Sequence, residues 1–122
     1  MKQAACLGIL AILVLGNLGG GAPLQPREPA KGAVEPFGQA SFFDGFEGRK
    51  RACVIAIGNG ASYLGLYVFD RWGNCVAKDD ITDTPTARDD LAVEWFPPEA
   101  GSYTVEVRNF GPSSNRFTIA IR

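Results

Sequence analysis

Apolar and polar residues alternate in short runs along the chain from about residue 38 onward. A period of two residues is typical of β-strands with one buried face. The runs cover residues 40–43, 51–57, 91–96, 101–108 and 117–121, together with two strands and a turn within 64–76. Seven short strands without a helical period predict an all-β protein, a small antiparallel β-sandwich with a jelly-roll-like form.

Residues 64–76 predict a hairpin around which the other strands are arranged. Gly73 lies in its turn, where a type I turn with a one-residue bulge needs a positive φ. One face of the first strand carries Leu64, Leu66 and Val68, and the other carries Gly65, Tyr67 and Phe69. We therefore expect a tight antiparallel return with the aliphatic face inward.

The same alternation assigns faces in the other strands. The inward residues are predicted to be Leu91, Val93 and Trp95, then Tyr103, Val105 and Val107, then Phe117, Ile119 and Ile121. In the strand over residues 51–57, the bulkier face holds Cys53, Ile55 and Ile57. These residues are the predicted core.

Two segments precede the predicted sandwich. Residues 1–21 have a lysine at position 2 and continue with an apolar run shorter than the ~20 residues of a spanning helix, which predicts a secretory signal peptide. The alternative is a retained N-terminal anchor. Residues 22–37 hold four of the eight prolines and few apolar side chains, which predicts a disordered linker. The folded domain is predicted over residues 38–122, in a secreted, periplasmic or cell-envelope protein.

The charge of the exported chain excludes some partners. Residues 1–21 hold one of the 12 basic side chains and none of the 13 acidic ones, so the remaining chain has a net charge of −2. No basic stripe is present to displace counterions. We expect no nucleic-acid partner and no membrane insertion after signal cleavage.

The residue inventory argues against catalysis. The sequence has no histidine, so Ser-His and Cys-His pairs are absent. It also lacks a Gly-x-Ser-x-Gly motif and a phosphate-binding glycine loop. We expect a protein that is not an enzyme.

Acidic residues concentrate near the hairpin and in the loop that follows it. They are Asp70, Asp79, Asp80, Asp83, Asp89 and Asp90. Oxygen ligands suit Ca²⁺, which makes these side chains a candidate calcium site. The Asp-x-Asp-x-Asp-Gly loop is absent, which favours a solvated acidic loop that keeps strand edges from pairing with other chains. We expect no required cofactor and a small effect of calcium.

Cys53 and Cys75 are the only cysteines after residue 21, and export to an oxidising compartment favours a disulfide between them. The predicted faces oppose it, because Cys75 lies opposite Phe69 while Cys53 shares the face of Ile55. Two buried thiols are the alternative.

Aromatic residues line the second face of the first hairpin strand. Tyr63, Tyr67 and Phe69 follow this face, and Trp72 lies at the turn beyond. In a two-layer sandwich this face is outside, which makes the four residues a candidate docking surface for a protein or glycan. The alternative is that the linker or neighbouring long side chains cover the rings.

The order of these segments resembles the bacterial pre-peptidase C-terminal domain. The resemblance rests on the sequence from Leu66 to Asn74 and on Gly101 to Val107, and it extends over residues 38–122. It implies a secreted, jelly-roll-like β-sandwich, an extracellular binding or accessory module of a kind that in some members binds calcium or an insoluble substrate. The alternative is a structural or assembly domain of the cell envelope, stabilised by calcium.

Overall fold

The computed structural model describes residues 28–80 and 88–122, and this part of the chain contains strands and no helix. The described residues form eight strands: β1 (Ala30–Val34), β2 (Gln39–Phe46), β3 (Ala52–Ile57), β4 (Leu64–Phe69), β5 (Cys75–Asp79), β6 (Asp90–Trp95), β7 (Gly101–Asn109) and β8 (Asn115–Ile121). The all-β prediction is therefore confirmed, with eight strands in place of seven.

The strands form two antiparallel sheets of four. One sheet has the order β1-β8-β3-β6 and the other the order β2-β7-β4-β5. Except for the β4–β5 hairpin, each connection crosses from one sheet to the other, which is the topology of a jelly roll. The described residues include no helix long and apolar enough to cross a membrane.

The core lies between the sheets and is built from the faces that alternation predicts. Leu64, Leu66 and Val68 of β4 are buried there. They are joined by the predicted residues of β6, β7 and β8, with Ile121 partly buried at the edge of the cluster. Because both sheets contribute one apolar face, the core is a single layer of side chains between them.

In strand β3 the less bulky face points into the core, opposite to the prediction. Val54 and Ala56 point into the core, while Cys53 and Ile55 are buried in a separate cluster with Ala92 on the other side of the sheet. Ile57 is exposed. Since both faces of β3 are apolar, side-chain size alone does not identify the face that meets the second sheet.

Strand β1 lies within residues 22–37, which the composition predicted as a disordered linker. It pairs along its whole length with β8, from Ala30 opposite Ile119 to Val34 opposite Asn115. Gly32 lies opposite Phe117, and a Cβ at Gly32 would come within 2.6 Å of that ring. The linker prediction is wrong for these five residues, because pairing with β8 and burial of Val34 compensate for the sparse apolar content. The predicted signal peptide, residues 1–21, lies outside the described residues.

The β4–β5 hairpin forms as predicted. Gly73 has a φ of 84° and donates its N–H to the carbonyl of Asp70 at 3.0 Å. Asp70 N–H in turn donates to the carbonyl of Asn74 at 2.9 Å. The pairing shifts by one residue between Val68 and Phe69, which leaves Phe69 opposite Cys75. A bulge at this place re-aims the side chains that follow it.

Candidate binding groove

The outer face of the sheet β2-β7-β4-β5 carries a row of side chains that crosses three strands. Phe43 of β2 lies opposite Thr104 of β7, and Thr104 lies opposite Phe69 of β4. All three side chains point away from the core because their neighbours along each strand point into it. Thr104 therefore separates two aromatic rings on an exposed sheet surface.

An open groove of about 520 Å³ follows this row to the turn between β4 and β5. Its lining residues, which we call the outer groove, are Phe43, Phe69, Asp70, Arg71, Gly73, Ser102, Thr104 and Glu106. The volume is within the range of small-ligand sites in proteins. The outer groove combines two rings with hydroxyl, carboxylate and guanidinium groups.

The two rings of the outer groove differ in how firmly they are held. The side chain of Phe43 is 78% exposed. Phe69 is half-buried and stacks on Tyr67, with ring centroids 6.4 Å apart and planes 19° apart. Phe43 is therefore the more accessible ring, and Phe69 is fixed by its neighbour.

Tyr67 does not belong to the exposed surface that the sequence predicted. It is only 7% exposed, and the Arg108 guanidinium lies over its ring at 4.2 Å from the centroid. Its hydroxyl donates to Asp80 at 2.6 Å. The prediction is corrected for Tyr67: the long side chain of Arg108 in β7 covers the ring, in agreement with the alternative.

Arg108 is itself held by a carboxylate of the same strand. Its Nε donates to Glu106 at 2.9 Å, and this hydrogen bond raises the pKa of Arg108 above its usual value. Glu106 is thus neutralised at the side of the outer groove nearest Tyr67.

Tyr63 and Trp72 lie at opposite ends of β4. Trp72 is 70% exposed at the turn, with the Arg71 guanidinium 4.5 Å from its ring centroid. Tyr63 is half-buried and stacks on Phe110 at 6.3 Å between centroids. The six-residue strand between them spans ~20 Å, so the structure does not unite the four predicted aromatic residues. Phe69 alone lines the outer groove, and Trp72 is beside it.

The turn at the end of the outer groove is organised by Asp70. Its carboxylate accepts from the N–H groups of Trp72 at 3.0 Å and of Asn74 at 2.8 Å. Desolvation raises the pKa of Asp70, but these hydrogen bonds and the charge of Arg71 outweigh it and lower the pKa overall. Arg71 also bonds Glu99 at 3.0 Å, which ties this turn to the loop after β6.

The other acidic candidates have separate structural partners. Asp79 forms a bidentate pair with Arg88, at 2.7 and 3.3 Å, and also accepts from Ala92 N–H at 3.0 Å. Asp89 accepts from Gly60 N–H at 2.6 Å and from Asn115 Nδ2 at 3.1 Å.

Asp80 accepts from Tyr67, Asp90 begins β6, and Asp83 lies outside the described residues. Within residues 28–80 and 88–122, no three acidic or sulfur side chains converge as a metal set. The structure therefore does not assemble the candidate calcium site from the residues it describes.

The predicted cysteine pair is not formed. Cys75 is a free, exposed thiol at the start of β5, whereas Cys53 is fully buried in β3 of the opposite sheet. Each lies on the outer side of its own sheet, so the whole thickness of the core separates them. The disulfide prediction is therefore wrong for this pair.

The sequence analysis did not predict that Phe43 and Ser102 line a groove. Phe42 and Phe43 are adjacent and chemically alike, so alternation could not decide which one faces outward. The structure turns Phe42 toward the core, where it meets Phe117 edge-on at 5.9 Å. The outward positions of Thr104, Glu106 and Arg108 follow from the alternation in β7.

The fold is shared with solved structures of low sequence identity. The pre-peptidase C-terminal domain of collagenase from Bacillus anthracis matches with a TM-score of 0.59 and 9% identity, over 78% of this chain and 88% of that one. PirA matches with a TM-score of 0.52 and 16% identity, over 80% and 96% of the two chains. The Aeromonas hydrophila PliG, a periplasmic inhibitor of g-type lysozyme, has a TM-score of 0.48 and 13% identity, over 78% and 85%.

No protein-family model and no curated protein matches the sequence. At these identities the structural likeness establishes the fold alone. It confirms the resemblance to the pre-peptidase C-terminal domain as a likeness of fold, a small β-sandwich.

Proposed function

We propose that this protein is a secreted, non-catalytic module that binds an extracellular partner through the outer groove. The observation that carries the proposal is Phe43, an aromatic side chain 78% exposed beside a groove of about 520 Å³. Exposed rings in a concave surface with a few polar groups are typical of binding sites. The fold of the pre-peptidase C-terminal domain supports an accessory role.

The polar groups of the groove support binding over catalysis. Glu106 is paired with Arg108 at 2.9 Å, and Asp70 is occupied by the hydrogen bonds of its turn. The sequence has no histidine, which is the usual general base that activates a serine or threonine hydroxyl such as those of Ser102 and Thr104.

The test compares two phenylalanines of similar exposure at distant places. Phe43 lies in the groove, whereas Phe37 is 71% exposed in the β1–β2 turn at the opposite end of the sandwich. Retention of the exported protein on cell-envelope material should fall for Phe43→Ala and persist for Phe37→Ala.

Neither substitution removes a buried contact, so both variants should unfold within ~0.5 kcal/mol of the parent protein. Equal retention of the two variants and the parent would show that the outer groove is not the binding site. No retention of the parent on any envelope fraction would contradict the proposed function itself.

A further inference from the structure

The strands that carry the two groove rings are separated by a distance that matches alternate units of an extended polysaccharide. Phe43 and Phe69 lie on strands separated by β7, so their backbones are two interstrand spacings apart, ~9.5 Å. This distance is close to the length of two pyranose rings in an extended β-linked chain. Alternate sugars of such a chain would meet the two rings while the sugar between them lies above Thr104.

The chemistry of the groove suits the two kinds of surface on a sugar. The face of an aromatic ring carries partial negative charge, which favours contact with the C–H groups of a pyranose. Between and beside the rings, Ser102 and Thr104 offer hydroxyls that both donate and accept, and Glu106 offers a carboxylate acceptor. Sugar hydroxyls need partners of both types.

The charges of the groove favour an uncharged ligand. Arg71 is the cation among the described lining residues, and it is paired with Glu99 at 3.0 Å. Glu106 is likewise neutralised by Arg108 at 2.9 Å, and the Asp70 carboxylate accepts from the N–H groups of its turn. A polyanion would therefore find no unpaired cation among the described lining residues to bind it.

The arrangement is less suited to a protein partner. Residues that dominate protein interfaces cluster in a contiguous, well-packed centre. Here the two rings are separated by the hydroxyl of Thr104 and flanked by carboxylates. The groove therefore offers spaced stacking positions and no single apolar centre.

We infer, on the basis of the proposed function, that the outer groove binds an uncharged polysaccharide whose extended chain crosses β2, β7 and β4. Phe43 and Phe69 are the stacking residues. Thr104 is the polar contact between them.

The experiment uses native gel electrophoresis of the full chain through dissolved polysaccharides. Hydroxyethyl cellulose, glucomannan and laminarin serve as uncharged probes, and carboxymethyl cellulose is an anionic probe with the same backbone as the first. At least one uncharged probe should retard the protein more strongly than carboxymethyl cellulose does. Phe43→Ala should weaken that binding about tenfold, as loss of a dominant aromatic contact does.

Two further variants separate stacking from polar contact. Thr104→Val keeps the shape of the side chain and removes its hydroxyl, so it should weaken binding less than Phe43→Ala does. Phe37→Ala should bind like the parent protein. Retardation that Phe43→Ala leaves unchanged would overturn the inference, because the sugar would then bind elsewhere.

The outcome also distinguishes this inference from the proposed function. If Phe43-dependent retention on envelope material persists while none of the three uncharged probes binds, the polysaccharide inference is overturned and the function stands. Phe43-dependent retardation by gelatin in place of polysaccharide would likewise assign the groove to a protein. If the parent protein shows neither retention on envelope material nor binding to any polysaccharide, both the inference and the proposed function are overturned.

Discussion

At the scale of single residues, Trp95 is a buried side chain whose indole N–H is not hydrogen-bonded to any described residue. It packs against Phe46 at 4.9 Å and Tyr103 at 5.4 Å between ring centroids. Its Nε1 is buried and has no hydrogen-bond partner among residues 28–80 and 88–122. An unpaired buried donor costs ~1–3 kcal/mol, so Trp95 stabilises the core through area and ring contacts alone.

Trp95→Phe should therefore change stability little. The smaller ring loses some contact area, but the unpaired donor disappears with it, and we expect a net change within ~1 kcal/mol. Trp95→Ala removes the ring contacts as well and should cost ~3–5 kcal/mol. Urea unfolding followed by circular dichroism gives both values. An equal loss for the two variants would show that the indole N–H is a stabilising group.

At the scale of elements, Asp79 connects the two sheets at one side of the sandwich. It ends β5, and it accepts from the N–H of Ala92 in β6 of the other sheet at 3.0 Å. It is 3% exposed and forms its bidentate pair with Arg88. In the sequence, Asp79 and Arg88 lie on either side of residues 81–87. Their ion pair therefore links the end of β5 to the residues that lead into β6.

Asp79→Ala should lower the free energy of unfolding by about 3 kcal/mol, because it leaves the Arg88 guanidinium without its carboxylate partner and Ala92 N–H without an acceptor. The double variant with Arg88→Ala should lose less than the sum of the single variants. Glu47→Ala is the matched control: its pair with Lys50 is 58% and 64% exposed, so its loss should cost under ~1 kcal/mol. Additive losses at Asp79 and Arg88 would contradict the coupling.

The β4–β5 turn should respond to acid through Asp70. The pKa of Asp70 in the folded protein lies below its ordinary value of 3.8. Its stabilisation is therefore present above pH 3.8 and is lost as the pH falls through the folded-state pKa.

An NMR titration of the side-chain carboxyl should give a midpoint below 3.8. Asp70→Asn should flatten the acid limb of the stability curve relative to Glu47→Gln, which removes one charge without the hydrogen bonds of the turn. A midpoint at or above the ordinary value would mean that desolvation outweighs those hydrogen bonds.

Alternation predicted strand faces well where one face is clearly polar, as in β7. It failed in β3, where Cys53, Val54 and Ile55 are all apolar, and in β2, where two phenylalanines are adjacent. It also could not predict that Arg108 covers Tyr67, because pairing between β4 and β7 brings them together from positions 41 residues apart in sequence. The site thus depends on the register between paired strands, which cannot be read from the sequence of a single strand.

At the scale of the whole molecule, β1 determines where the folded unit begins. Composition placed the boundary at residue 38, but pairing with β8 moves it to Ala30. Gly32 of this strand lies against the ring of Phe117, and Val34 is buried. It also makes β8 an internal strand, which protects that edge from pairing with other chains.

A chain that begins at Gly38 should therefore be less stable than one that begins at Glu28. Both lack residues 1–27, so the comparison isolates the segment with β1. The shorter chain loses the burial of Val34 and the cover over Phe117, each worth ~1.5–3 kcal/mol for a large apolar side chain.

We expect a lower urea midpoint for the shorter chain, with an unchanged far-UV spectrum where it still folds. Its exposed β8 edge should also increase self-association, which sedimentation velocity measures. A chain that begins at Glu28 and carries Gly32→Val separates the two effects, because it keeps the strand but forces the ring of Phe117 to move. Equal urea midpoints for the Glu28 and Gly38 chains would show that β1 is not part of the cooperative unit.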